Sequence, residues 1–354
     1  MSQRYHYEAF FLQAKYIYQM NLITGATGFL GTHLTAHLVG LGENCICFYR
    51  TETKRDYALK IIKTYSEITD LLIEQNIKWV KADLLDIPKL KHVFSTFEVT
   101  QVYHCAGMIS NAPSDYKKLR KVNIEGTANI INFSLKYHVQ KFCHVSSIAT
   151  LSKNPELSLI DEQITISEHD KTNAYAIAKY GAEREAWRGS QEGLNLIIVN
   201  PGVILGHGFY NQGSGEIINK YAKGFQFYFN KTTGFVGVYD CCKAMHLLMQ
   251  SSLKNERYIL VAENLNFKIL AAKIATLFSA KPPRIKIKKW MLFIFWLFSL
   301  LATLLGEKRQ MTKDLITSLF ESDAYSNDKI KTAIQFEFQT IDVVLKQIKE
   351  NSNF

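Results

Sequence analysis

Apolar positions along this chain fall into two alternating patterns. Short runs of β-branched and aromatic residues recur at 21–24, 44–49, 77–81, 101–105, 141–146, 195–199 and 257–261. Between them lie longer segments whose apolar residues return every three or four positions, as in 29–39 and 122–137. The first pattern predicts strands and the second predicts helices. Regular alternation of the two implies right-handed crossovers and a parallel sheet covered by helices on both faces. The fold class expected is therefore α/β, with one doubly wound, mostly parallel, seven-stranded sheet.

Two regions fit the alternation poorly. Residues 202–234 are rich in glycine and aromatics, and the chain after 264 is helical and basic, then strongly apolar. In doubly wound folds, late additions build the substrate pocket over the carboxyl edge of the sheet. The division expected is a nucleotide-binding domain from 20–201 and 235–262, and a smaller substrate lobe from 202–234 and 263–354. Because the first strand opens at Met20, residues 1–19 read as a dispensable N-terminal extension. They lack the continuous apolar core and cleavage site of a secretory signal.

Composition narrows the function. At 354 residues, 47% hydrophobic and 21% charged, the chain is globular, neither disordered nor fibrous. Lys and Arg number 42 against 32 Asp and Glu, a net charge of +10. That excess suits an anionic partner: a phosphate-bearing ligand or a membrane surface. No base-reading or stacking motif accompanies it, so no nucleic-acid partner is expected. The six cysteines form no CxxC pair and read as reduced thiols of a cytoplasmic protein. No metal site is expected.

The segment Thr24-Gly25-Ala26-Thr27-Gly28-Phe29-Leu30-Gly31 sits between the first strand and the first helix. Glycines there let the backbone turn tightly and approach a pyrophosphate, while the helix offers unpaired N–H groups and its positive end. An acid at the tip of strand two would hold the ribose 2′-hydroxyl of NAD(H). Here the strand ends at Arg50, with Lys54 beyond it and Glu52 only in the loop. Charged donors at that position favour NADP(H), with its 2′-phosphate, over NAD(H).

Tyr175 and Lys179 are four residues apart on one expected helix, so their side chains share a face. An ammonium about 5 Å from a phenol, at an effective dielectric near 20, supplies roughly 3 kcal/mol, or about two pKa units of acidification. The same YxxxK spacing recurs at Tyr137, Tyr239 and Tyr325. Only Tyr175 begins a helix between the fifth and sixth strands, after a serine pair, Ser146-Ser147, at a carboxyl edge.

These motifs together resemble the extended short-chain dehydrogenase/reductases, the NAD(P)-dependent epimerase/dehydratase superfamily, whose sheet is of the Rossmann type. TGATGFLG is similar to the family's cofactor loop, which assigns Gly25, Thr27, Gly28, Phe29, Leu30 and Gly31 to the cofactor. Asp83-Leu84 resembles its adenine-contacting pair. Cys105-Ala106-Gly107 resembles the stretch lining the cofactor ribose, and Asn123 opens an NxxGT helix signature. Pro201-Gly202-Val203 resembles the segment that meets the nicotinamide amide. Phe235–Asp240 is similar to the family's FVhVxD stretch. The resemblance places Ser147, Tyr175 and Lys179 as the catalytic set. It implies hydride transfer between NADP(H) and a carbonyl or secondary alcohol, with Tyr175 as general acid/base. Arg50 in place of an acid resembles the dihydroflavonol-reductase and 3β-hydroxysteroid-dehydrogenase branch. The alternative is a nucleotide-sugar epimerase or dehydratase, which consumes no net cofactor.

Residues 290–305 read WMLFIFWLFSLLATLL, between Lys286, Lys288 and Lys289 on one side and Lys308 and Arg309 on the other. The run is shorter than the roughly 20 residues of a simple span. Three readings stay open: a monotopic anchor that makes the protein peripherally membrane-associated, a packed helix of the substrate lobe or of a homodimer, and a transmembrane span. The first would suit a lipophilic substrate.

Overall fold

The computed structural model describes residues 19–110, 112–152, 158–166, 173–293, 296, 316 and 319–352. Nearly all of the 1–19 extension, and 290–305 beyond its first turn, lie outside the described residues.

The seven strand-like runs form one sheet. They are β1 (Gln19–Thr24), β2 (Cys45–Tyr49), β3 (Ile77–Lys81), β4 (Glu98–His104), β5 (Lys141–Val145), β6 (Leu196–Pro201) and β10 (Glu256–Leu260). Their order is β3-β2-β1-β4-β5-β6-β10, and every neighbouring pair is parallel. The chain reverses direction across the sheet between β1 and β4, which makes the carboxyl end of β1 a switch point open to ligand.

Alternate strand residues feed two cores. Leu22, Ile46, Val102, Phe142 and Ile198 face one side, where α4 (Ile87–Thr96), α6 (Gly126–Lys136) and α7 (Ala174–Gln191) cover them. Ile23, Cys47, Tyr103, Cys143 and Val199 face the other, under α1 (Phe29–Gly40) and α9 (Val238–Gln250). Burial on both faces explains why successive residues of β2 and β6 are apolar rather than alternating with polar ones. Five of the six cysteines are buried and none is disulfide-bonded.

A smaller sheet branches from the end of β6. It orders β7 (Val203–Leu205), β9 (Thr232–Gly237) and β11 (Glu263–Asn266), with β9 parallel to β7 and antiparallel to β11. Its core joins Leu205 and Phe235 to α8 (Gly215–Ala222), α10 (Phe267–Leu277) and α12 (Ile341–Glu350). Residues 202–234 and much of 263–354 thus share a core distinct from the two beneath the large sheet. Position 235, where the expected division returns to the larger domain, falls inside β9. Ile330 of α11 (Asp328–Ile334) and Phe336 return to pack under the large sheet. At the junction, a Cβ on Gly202 would lie 2.5 Å from the Gly234 carbonyl oxygen, so the two backbones run side by side there with no room for a side chain.

Candidate active site

The turn after β1 is built for close backbone approach. Gly25 has φ +68°, and a Cβ on it would stand 2.7 Å from the Ala106 nitrogen. A Cβ on Gly31 would meet the Gly25 oxygen at 2.2 Å. Gly28 caps α1 without any side-chain bond, leaving the first-turn N–H groups free for an anion. Thr27 and Phe29 are half-buried on this turn, whereas the Leu30 side chain lies in the core, so only its backbone can reach a ligand.

The neighbouring strand ends complete the rim. Arg50 directly follows β2, Lys54 lies in the first turn of α2 (Glu52–Ile62), and both are exposed. Neither makes an ion pair among the described residues, whereas Glu52 is engaged by Arg55 at 2.6 Å and Lys81 at 3.6 Å. Beyond β3, exposed Asp83 accepts from the Leu85 N–H at 2.9 Å, and Leu84 packs on Gly126. Cys105 and Ala106 bind back to Thr24 through their N–H groups, at 3.2 and 3.3 Å. Burial pushes the Cys105 thiol up to about 12, so it stays protonated. Asn123 sits on a π-helical turn, Lys121–Glu125, and is clasped to Met108 by bonds of 2.7 and 3.0 Å. Pro201, Gly202 and Val203 lie where β6 passes into β7.

The third bank is α7, capped by the Asn173 side chain, which accepts from Ala176 N–H at 2.9 Å. Tyr175 is the second residue of the helix, half-buried and close to the Ser147 hydroxyl, which itself accepts from the Ala149 N–H at 3.1 Å. One turn on, Lys179 is buried, and its Nζ donates to the Val145 carbonyl at 2.6 Å. A Cβ on Gly107 would come within 3.5 Å of that Nζ and 3.8 Å of Asn123 Oδ1. Ser147, Tyr175, Lys179, Asn123 and Gly107 therefore border one space.

The electrostatics differ from expectation. Burial raises the Tyr175 phenol above its ordinary value, and the neighbouring Ser147 hydroxyl opposes the rise. The Lys179 ammonium donates to the Val145 carbonyl, and burial lowers its own pKa to about 8. Glu183 acts against that fall. His104 and His144 beneath the site are held neutral by burial, His104 near 3.

A model of the NAD dependent epimerase/dehydratase family matches residues 21–261, more than half of the chain. The chain belongs to that family. It is an enzyme of oxidoreductase or epimerase type that works with a nicotinamide cofactor on small molecules. Among curated relatives of the family, the chain is 26% identical over 301 residues to a putative dihydroflavonol 4-reductase of Synechocystis sp., covering 82% of both proteins. It is 26% identical over 245 residues to sterol demethylase protein B of Methylococcus capsulatus, covering 69% of this chain and 70% of that one. A solved structure described as gox2253 superposes with a TM-score of 0.76 at 25% identity, covering 94% of this chain and 97% of the other.

This family member also carries a buried network that sequence reasoning missed. Glu183, one turn past Lys179, is fully buried. It accepts from Ser146 Oγ at 2.5 Å, Thr150 Oγ1 at 2.9 Å and Asn200 Nδ2 at 3.3 Å, and pairs with Arg257 at 3.1 Å. Asn200 and Thr150 also donate to the Ser147 carbonyl, at 3.1 and 2.9 Å. The carboxylate thereby ties α7 to the ends of β5 and β6 and fixes the backbone that carries Ser147. Its signal was the spacing: Tyr175, Lys179 and Glu183 repeat every four residues on one helical face. Second, the loop after β7 clamps α1: His33 Nε2 lies 3.1 Å from the His207 carbonyl, and the His207 ring meets Thr64 at 2.9 Å and Tyr239 at 3.1 Å. Among the described residues, no group of His, Cys, Asp and Glu is arranged to hold a metal ion.

Proposed function

We propose that this protein is an NADP(H)-dependent reductase or dehydrogenase acting on a carbonyl or secondary-alcohol substrate. The observation that carries the reading is the convergence of Ser147, Tyr175 and Lys179 on one space beside Gly107, at the carboxyl edge of the large sheet.

The residues present fit the cofactor. The uncapped start of α1 offers N–H donors to a pyrophosphate, on a turn so tight that a Cβ on Gly25 or Gly31 would strike neighbouring backbone. Arg50 and Lys54, exposed and free of ion pairs among the described residues, would hold a 2′-phosphate. The nearest acid, Glu52, is already held by Arg55 and Lys81. Asp83 and Leu84 would border the adenine, Cys105 and Ala106 the ribose, and Pro201-Gly202-Val203 the carboxamide. When bound, the nicotinamide supplies or accepts the hydride.

The chain's own residues handle the proton. Tyr175 gives it to, or takes it from, the substrate oxygen, and Ser147 orients the same oxygen by hydrogen bonding. Lys179 places a positive charge in a water-poor space, where charge developing on that oxygen or the phenol is strongly stabilised. The small sheet and its helices would close the substrate side. A screen of NADPH depletion against ketosteroids, flavanonols and nucleotide sugars tests the reading. Stoichiometric NADPH oxidation with a carbonyl substrate is expected. Turnover of a nucleotide sugar with no net loss of NADPH would instead establish the second reading, an epimerase or dehydratase, which the family's description keeps in view.

A further inference from the structure

A local excess of positive charge is carried by residues that the site does not use. Two stretches of the chain, 217–239 and 267–293, contain no Asp or Glu. The fold brings them together, because β8 (Phe227–Tyr228) pairs in parallel with β12 (Ile285–Lys286). Backbone bonds extend the seam: Arg284 and Ile285 N–H both donate to the Gln226 carbonyl, at 3.0 and 2.9 Å. The Gln226 side chain donates to the Lys281 carbonyl at 3.2 Å.

On this corner Lys281, Arg284, Lys286, Lys288 and Lys289 are all exposed, and none makes an ion pair among the described residues. Large apolar side chains stand between them. Trp290 is 60% exposed, Phe293 50% and Phe225 42%. Lys289 lies over the Phe320 ring, which brings the chain of Glu321 close, but five cations on two stretches that carry no acid still repel one another, and exposed aromatics are costly in water, so the corner is poor as a surface facing solvent alone. Both costs are relieved by one kind of partner. An anionic bilayer answers the cations with headgroup phosphates and accepts the rings at its interface. The sequence continues in the same sense, with LFIFWLFSLLATLL directly after Met291. A nucleic acid or an acidic protein would satisfy the charge but leave that apolar continuation unanswered.

We infer that the corner formed by β8, β12 and the helical turn at Trp290 docks on an anionic lipid surface, with Trp290 and Phe293 entering the headgroup layer. This inference is independent of the proposed reaction. Sedimentation of the full chain with phosphatidylcholine vesicles, and with the same vesicles containing phosphatidylserine, tests it. Binding is expected only with phosphatidylserine, weakening as salt is raised. Joint replacement Lys286→Ala, Lys288→Ala and Lys289→Ala should weaken it roughly a hundredfold, with thermal melting unchanged. Trp290→Ala should weaken binding without altering its salt slope. Failure to bind either vesicle would overturn the inference, as would equal binding to both or undiminished binding by the triple variant. Preferential capture of a short single-stranded RNA, with no vesicle binding, would overturn it in favour of a nucleic-acid surface.

Discussion

The two banks of the cleft at the carboxyl edge are made of different material. On the β1 side, the turn from Gly25 to Gly31 works by what is missing: no side chain caps α1, and added Cβ atoms would collide with backbone at 2.2 to 2.7 Å. On the α7 side the work falls to side chains, with Tyr175, Lys179 and Glu183 stacked along one face and tied to β5 and β6 by charged hydrogen bonds. On the proposed reading, the first bank would hold the cofactor's pyrophosphate and the second would handle the proton. Binding and turnover should therefore be separable by mutation, each bank failing in its own way.

The sharpest separation is Tyr175→Phe. It should lower kcat by about a thousandfold or more while NADPH affinity, read by fluorescence titration, hardly changes. Retained turnover would remove the proton role. The opposite failure is Gly31→Ala. Its methyl group would press on the Gly25 oxygen, and overpacking there should cost about 3 kcal/mol and displace the cradle. Calorimetric melting and NADPH titration should both show the loss, and an unchanged affinity would break the account of the first bank. Next comes Arg50→Asp, which should shift the NADP-over-NAD ratio of kcat/KM by roughly tenfold to a hundredfold toward NAD. An unaltered ratio would take the 2′-phosphate away from Arg50.

The smallest effect is the most specific. Lys179 loses its proton near pH 8, so turnover should fall as pH rises through that value. Glu183 holds the lysine up against burial. Glu183→Gln should therefore lower the lysine pKa further and move the alkaline limb of kcat/KM to lower pH, leaving the acid limb in place. A limb that stays put or moves upward would contradict the coupling.

The large sheet was legible because its central strands β2, β5 and β6 are buried on both faces and each carries a compact apolar run, while the edge strand β3, with exposed Lys78 and Lys81, keeps enough apolar residues to be recognised. The cradle was legible because its glycines are needed for steric reasons that spacing reveals. The small sheet was not. β7 and β11 are only three and four residues long, and 26 and 25 residues of chain separate them from β9, so their pairing leaves no local pattern. Glu183 was passed over because an acid on a helix ordinarily faces water, and only the arrival of Arg257 from β10 makes its burial tolerable. The π-helical turn at Asn123 leaves no mark in local propensity, yet it is the device that aims the side chain at Met108.

Gly202 and Gly234 stand side by side where the strand leaving the large sheet meets the middle strand of the small one. A methyl group on the first would strike the Gly234 carbonyl oxygen and one on the second would strike Val261, so a side chain at either place would wedge the small sheet away from the end of β6.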